Sequence, residues 1–151
     1  MPQSLAQVYV HIVFSTKDRA ALLRDGDVRR QMHAYLAAVF KGHDCHPVTI
    51  GGTADHVHAL CTWSRTRTLA DVIGEVKRAS SKWVKTKGAR LAAFQWQNGY
   101  GAFSVSHSNV APVCKYIEGQ EAHHKTMTFQ DEFRALLRKC GVPFDERYVW
   151  D

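Results

Sequence analysis

The sequence predicts an α+β fold built on an antiparallel sheet, because extended and helical patterns alternate along its 151 residues. Residues 9–15 (YVHIVFS) are rich in β-branched and aromatic side chains, which predicts a first strand. Residues 25–41 place apolar side chains at helical spacing, and Gly42 follows as a C-cap. This length suits one domain with its own core, and we expect residues 1–151 to form it.

The later extended segments are short: 46–50, 56–63, 94–96 and 102–106. Gly51 and Gly52 lie between the first two, which predicts an antiparallel hairpin. A helix from Thr68 to about Thr86 precedes the last two, of which at least one joins the sheet. The order β-α-β-β-α-β predicts a ferredoxin-like (RRM-like) sandwich. Helices would cover one face of its sheet, leaving the other face free for a ligand or another subunit.

Extra helices are predicted after the sheet. Ser108 or Asn109 caps a helix that continues to about His124, and Thr128 with Asp131 resembles a capping box for the last helix. The apolar face of that last helix carries Phe129, Phe133, Leu136 and Leu137. The aromatic tail that follows is expected to dock on the body of the protein or on a partner.

Charge and composition indicate which kind of partner the protein binds and where it is located. The net charge of +6 and a pI near 9.3 favour an anionic partner, of which nucleic acid is the commonest. No apolar run approaches the ~18 residues of a membrane helix, and no basic leader precedes an apolar stretch. We therefore expect a cytoplasmic protein that does not contact a membrane. The four cysteines match no zinc-site spacing and are expected to be reduced thiols.

The first chemical signal is the pair His56 and His58, which flank Val57 on a predicted strand. Alternate residues of a strand point to the same side, so the two imidazoles share a face while Val57 enters the core. Two imidazoles so placed can bind one divalent metal. Chance histidines without a metal fit the same spacing, because the chain has nine histidines.

The second signal is Tyr116 with Gln120, four residues apart on one face of a predicted helix. A glutamine carbonyl can be a third metal ligand, and a phenol can be a nucleophile when a cation neutralises its developing charge. By themselves the two residues also fit a boundary tyrosine beside a solvated glutamine.

Together the two signals resemble the single-tyrosine HUH transposases of small bacterial insertion sequences, the TnpA-like family, whose relatives include the repeat-associated tyrosine transposases. HUH denotes histidine, hydrophobic residue, histidine, as in His56-Val57-His58. The Tyr-x-x-x-Gln motif of the family's catalytic helix corresponds to Tyr116 and Gln120. The resemblance covers nearly the whole chain, with further similar stretches at 96–106 (WQNGYGAFSVS) and 146–150 (ERYVW).

The resemblance implies that His56, His58 and Gln120 hold Mg²⁺ or Mn²⁺, and that Tyr116 attacks a phosphate of single-stranded DNA beside a hairpin. It implies a 5′-phosphotyrosine bond and a free 3′-hydroxyl, which can later be rejoined without ATP. Asp55 could orient a histidine, but adjacent side chains of a strand point apart, which argues against this role.

The resemblance also implies a homodimer. Two sheets would pair edge to edge, and the tyrosine helix of one subunit can complete the histidine site of the other. An exposed edge near the first strand or the His56 strand would fit this arrangement.

DNA contacts are predicted around the second helix and in the loop that contains Tyr100. The candidates for phosphate binding or base stacking are Arg65, Arg67, Arg78, Lys82, Lys85 and Tyr100. A solvated helix face is the alternative for the basic residues. Trp83 lies on the apolar face of that helix and is expected in the core. Structural or surface roles are expected for the histidines near the tyrosine helix: His107, His123 and His124.

Three other functions remain open from the sequence. A domesticated relative would bind and nick DNA hairpins without mobilising its own gene. A metal-dependent phosphoesterase would use activated water and would tolerate Tyr116→Phe. A non-catalytic RNA-binding module would need aromatic residues on the central strands, where this chain offers His56 and His58 instead.

Overall fold

The fold is a four-stranded antiparallel sheet with helices on both faces, in a computed structural model that describes residues 2–151. The strands are β1 (Tyr9–Ser15), β2 (His46–Gly52), β3 (His56–Thr62) and β4 (Gly101–Val105). The α-helices are α1 (Gly26–Gly42), α2 (Leu69–Val84), α3 (Val110–Glu118), α4 (Gln120–His123) and α5 (Phe129–Lys139). This order confirms the predicted βαββαβ ferredoxin-like sandwich with extra C-terminal helices. Within residues 2–151, no helix has the length and apolar character to span a membrane.

The strand order is β2-β3-β1-β4, and every neighbouring pair is antiparallel. In the pairing of β1 with β3, Val13 lies opposite His58 and Ser15 lies opposite His56. The two histidines therefore stand on a central strand. Both β1 and β3 lie inside the sheet, and β2 and β4 form its two edges.

One face of the sheet is covered by α1 and α2, which enclose the larger apolar core. Ile12, Phe14 and Val57 point into this core and are completely or almost completely buried. The prediction that Trp83 lies inside it is wrong, since the indole is only partly buried. It stacks on Tyr35 of α1, with ring centroids 4.7 Å apart, at the margin of the core.

The other face of the sheet is not free, in contrast to the prediction. It is covered by α3, α4 and α5, with Val13 packing against Phe129 and Phe133 of α5. Gly51 of β2 allows α3 to approach the sheet closely. A Cβ added there would lie 2.5 Å from the backbone oxygen of Ile117, so the missing side chain lets α3 lie directly on β2.

The predicted single helix from Asn109 to His124 is interrupted at Gly119, which separates α3 from α4. Gly119 has φ −89° and ψ 12°, outside regular helical geometry, and glycine is a weak helix former. The aromatic tail docks on the body of the protein, where the Trp150 ring lies 6.1 Å from the Phe133 ring.

Candidate active site

His56 and His58 lie side by side on β3 and point toward α3–α5. Both imidazoles are fully buried. Asp55 Oδ1 lies 2.7 Å from His56 Nδ1, so the argument against an orienting role for Asp55 is wrong. The alternation rule does not apply to Asp55, because it lies in the bend before β3 begins. On the other side, His11 Nε2 of β1 lies 2.8 Å from His58 Nδ1. Both histidines are thus held by a second polar group, as metal-binding histidines usually are.

Glu132 of α5 is the residue on which the site converges. Its side chain is 2% exposed. Oε1 lies 2.9 Å from His58 Nε2 and 3.4 Å from His56 Nε2. Oε2 accepts hydrogen bonds from the Tyr116 hydroxyl and, at 3.0 Å, from Gln120 Nε2. One carboxylate therefore joins both histidines to the tyrosine and the glutamine.

Gln120 reaches the histidine pair despite the helix interruption at Gly119. Its Oε1 lies 2.9 Å from His56 Nε2, and the side chain is buried. Tyr116, one turn earlier, packs edge-on against His58 with ring centroids 5.6 Å apart. The structure thus brings together all four residues that the sequence predicts as ligands and nucleophile.

The site carries a buried pair of opposite charges. Burial lowers the pKa of His56, but hydrogen bonds with Asp55, Glu132 and Gln120 outweigh it and raise that pKa to about 9. Burial likewise raises the pKa of Glu132, yet the surrounding histidines bring it well below its usual range. Near neutral pH, an imidazolium at His56 therefore faces a carboxylate at Glu132.

The Tyr116 hydroxyl is protonated near neutral pH in this arrangement. Burial raises its pKa, and the carboxylate of Glu132 raises it further because a phenolate beside a carboxylate is unfavourable. His11 has the opposite tendency, since burial lowers its pKa to about 3 and keeps the ring neutral. Positive charge placed close to the phenolic oxygen would lower this pKa.

The donor atoms fit a divalent metal. Ligand atoms of His56, His58 and Glu132 all lie within 4.8 Å of one another. Two imidazole nitrogens with a carboxylate oxygen form a set that suits divalent ions in proteins. His123 and His124 approach the same carboxylate, with their Nε2 atoms 3.3 Å from Oε2 and 3.1 Å from Oε1 respectively. They are thus part of the cluster, although only structural or surface roles were expected.

Comparison with known protein families identifies the family of this chain. Residues 4–120 match the family model described as transposase, IS200 like. The chain belongs to the IS200-like transposase family. The resemblance found in the HUH and Tyr-x-x-x-Gln motifs is thereby confirmed. None of the curated proteins matches the chain.

Two solved structures resemble this IS200-like transposase in fold. A candidate transposase of Deinococcus radiodurans R1 is 22% identical, with a TM-score of 0.62 over 80% of this chain and 95% of that chain. A REP-associated tyrosine transposase bound to a REP hairpin is 10% identical, with a TM-score of 0.59 over 82% of this chain and 73% of that chain. At these identities the two structures support the fold alone.

The predicted DNA-binding residues lie away from this cluster. Arg78 and Lys82 are exposed on α2, and Lys85 is exposed directly after its end. This helix packs on the opposite face of the sheet from Tyr116. Tyr100 is 37% exposed, and the ammonium group of Lys77 lies 5.6 Å from its ring centre. Arg65 is exposed and Arg67 is partly buried in the β3–α2 connection. None of these side chains contacts the histidine cluster within residues 2–151 as the structure describes them.

Sequence reasoning missed Glu132, although a signal for it was present. Glu132 lies three residues after Phe129 and four before Leu136, within the apolar stripe of α5. A carboxylate in the middle of a buried stripe requires a polar partner inside the protein. That requirement alone could have directed attention to the histidine pair.

Proposed function

We propose that this IS200-like transposase is a metal-dependent endonuclease and strand transferase for single-stranded DNA, with Tyr116 as its nucleophile. One observation carries the proposal. The Tyr116 hydroxyl, the two β3 histidines and Gln120 converge on the carboxylate of Glu132. Membership in a transposase family supports DNA as the substrate.

His56, His58 and Gln120 would hold Mg²⁺ or Mn²⁺, and Glu132 lies close enough to contribute an oxygen ligand. When bound, the cation would polarise the scissile phosphate and neutralise developing negative charge. The electrostatics of the site support this assignment. Because burial and Glu132 raise the pKa of Tyr116, a nearby cation would favour the reaction by stabilising the developing phenolate.

In the proposed cleavage, the phenolic oxygen of Tyr116 attacks the phosphorus in line with the bond to the 3′ oxygen. The new bond is a 5′-phosphotyrosine, and the broken bond releases a 3′-hydroxyl. Glu132 Oε2 already accepts the hydrogen bond of the phenol and would hold the hydroxyl in position, while the phenolic proton passes to solvent. The leaving 3′ oxygen takes a proton from solvent. Attack by another 3′-hydroxyl on the phosphotyrosine reverses the step and rejoins DNA without ATP.

We further propose a DNA hairpin beside the cleaved strand as the recognised element. The similar REP-associated tyrosine transposase is bound to a REP hairpin, which supports this partner. A homodimer remains a prediction, for which β2 and β4 offer the sheet edges. DNA-binding roles also remain predictions for Arg65, Arg67, Arg78, Lys82, Lys85 and Tyr100. A domesticated, hairpin-nicking relative would use the same chemistry.

The test is a search for a covalent adduct. The protein would be incubated in Mg²⁺ or Mn²⁺ with labelled single-stranded hairpins taken from the DNA beside its gene, then separated in denaturant. We expect an adduct that is lost in Tyr116→Phe and His56→Ala. Matched controls are Tyr148→Phe and His46→Ala, which change exposed residues and should leave the adduct intact.

Each outcome separates the candidate functions. Cleavage that survives Tyr116→Phe would refute the tyrosine mechanism and favour a phosphoesterase that activates water. Hairpin binding without any adduct, over both metals and all flanking hairpins, would leave a DNA-binding protein without strand-transfer activity.

A further inference from the structure

A cavity of about 450 Å³ opens beside Tyr116, between α3, α5 and β4. We name it the tyrosine pocket. Its walls are mainly apolar, with Phe103, Val113 and Leu136 among the lining residues. Met127, also in the lining, is 37% exposed. The volume falls within the roughly 300–1,000 Å³ typical of sites for small organic groups.

The tyrosine pocket is continuous with the candidate active site. His11, Tyr116 and Glu132 belong to both the pocket lining and the polar cluster. A group held in the pocket would therefore lie beside the attacking oxygen. Lys139 also lines the pocket and is exposed, so a cation is available next to the apolar walls.

The side chains that line the tyrosine pocket indicate which kind of ligand it can bind. A phosphate is disfavoured inside, because the walls are mostly apolar and the carboxylate of Glu132 is negative. A nucleobase is flat and aromatic, and its burial against apolar side chains is favourable. Ser104 and Asn109 in the lining can offer hydrogen bonds to the edge of a base. Of the two phosphates that flank that base, one would lie at the Tyr116 hydroxyl, and the other would stay outside, near Lys139.

We propose that the tyrosine pocket holds one unpaired base of the DNA strand next to the phosphate that Tyr116 attacks. This inference rests on the proposed function and extends it to how the substrate is recognised. A base in a duplex is paired and stacked, and extruding it costs a few kcal/mol. The pocket thus gives a physical reason for selecting single-stranded DNA at the point of cleavage.

The test compares two probes that carry the same backbone charges. One is a short oligothymidine, and the other is the abasic sugar-phosphate chain of equal length. Affinities would be measured by fluorescence anisotropy in EDTA, so that no cleavage occurs. The variant is Ala135→Phe, which places a ring in the pocket from the exposed side of α5. The matched control is Ala38→Phe, at an exposed position of α1.

We expect wild type to bind oligothymidine at least about fivefold more tightly than the abasic chain, the lower limit for one stacked base. Ala135→Phe should lose about that factor for oligothymidine and leave the abasic affinity unchanged. Ala38→Phe should change neither affinity. The abasic comparison does not alter the protein, so it remains informative if Ala135→Phe fails to fold.

Three results would overturn the proposal. The first is equal affinity of wild type for the two probes, or no measurable binding of oligothymidine. The second is an equal loss of both affinities in Ala135→Phe. The third is a change from dimer to monomer in sedimentation of Ala135→Phe with unchanged DNA binding, which would assign the pocket to a second copy of the chain.

The outcomes also separate this inference from the proposed chemistry. If a Tyr116 adduct forms but the two probes bind equally well, the pocket does not bind a base, and the proposed cleavage by Tyr116 is unaffected. Discrimination between the probes without any adduct would leave a base-binding pocket in a protein that lacks the tyrosine chemistry.

Discussion

The buried charge at His56 predicts how the stability of the metal-free protein depends on pH. The folded protein raises the pKa of His56 from 6.5 to about 9. Because the folded pKa lies above the unfolded one, the stabilisation is fully present below pH 6.5 and is lost as pH rises toward 9. A difference of 2.5 pKa units at about 1.36 kcal/mol per unit amounts to about 3 kcal/mol.

The measurement is urea unfolding in EDTA at several pH values between 6 and 9, for wild type and His56→Gln. Taking the difference between the two proteins removes the contributions of titrating groups that do not interact with His56. We expect the advantage of wild type to shrink by about 3 kcal/mol over this range. The control His46→Gln removes an exposed histidine and should follow wild type at every pH.

A constant difference between wild type and His56→Gln from pH 6 to pH 9 would refute the reasoning. It would mean that His56 is neutral in the fold and that no imidazolium faces Glu132. Adding Mn²⁺ provides an internal check. Metal binding requires a deprotonated imidazole nitrogen, so stabilisation by Mn²⁺ should increase as pH rises.

Three further results are expected. Glu132→Gln should lower the free energy of unfolding by roughly 3 kcal/mol in urea titrations, since it removes the more deeply buried of the two carboxylates beside the His56 imidazolium. A loss no greater than that of the exposed control Glu118→Gln would count against the charge pair. Gly51→Ala should destabilise by about 1–3 kcal/mol in the same titrations, because its Cβ would meet the Ile117 backbone. The control Gly74→Ala has open space around its Cβ and should raise the free energy of unfolding slightly. Equal effects of Gly51→Ala and Gly74→Ala would disprove the predicted clash with Ile117. Affinity for single-stranded DNA should fall with salt, with a log–log slope of about −0.7 per phosphate contacted, and a flat salt titration would exclude a phosphate-dominated interface.

Local sequence signals were sufficient to predict most of the strands and helices of the fold. Thr68 and Thr128 were identified as helix starts, and each side chain accepts a hydrogen bond from the backbone N–H three residues later. Such capping depends only on neighbouring residues. The break at Gly119 was missed because one glycine is tolerated within many helices.

The site was predicted only in the part that two short motifs encode. His56, His58, Tyr116 and Gln120 follow from spacing along a strand and a helix. Glu132 comes from α5, which the sequence assigned to apolar packing, and its partners depend on how α5 docks on the sheet. Contacts of that kind are set by tertiary packing, which no local pattern contains.

The place of Glu132 on α5 has a thermodynamic consequence. The family match ends at residue 120, so this carboxylate comes from beyond the matched region. The docking of α5 and the binding of a cation at the histidines are therefore linked. If docking of α5 strengthens cation binding by some free energy, a bound cation must stabilise the docked α5 by the same amount. Amide hydrogen exchange in α5 would report the state of the cluster of His56, His58 and Glu132 without any DNA present.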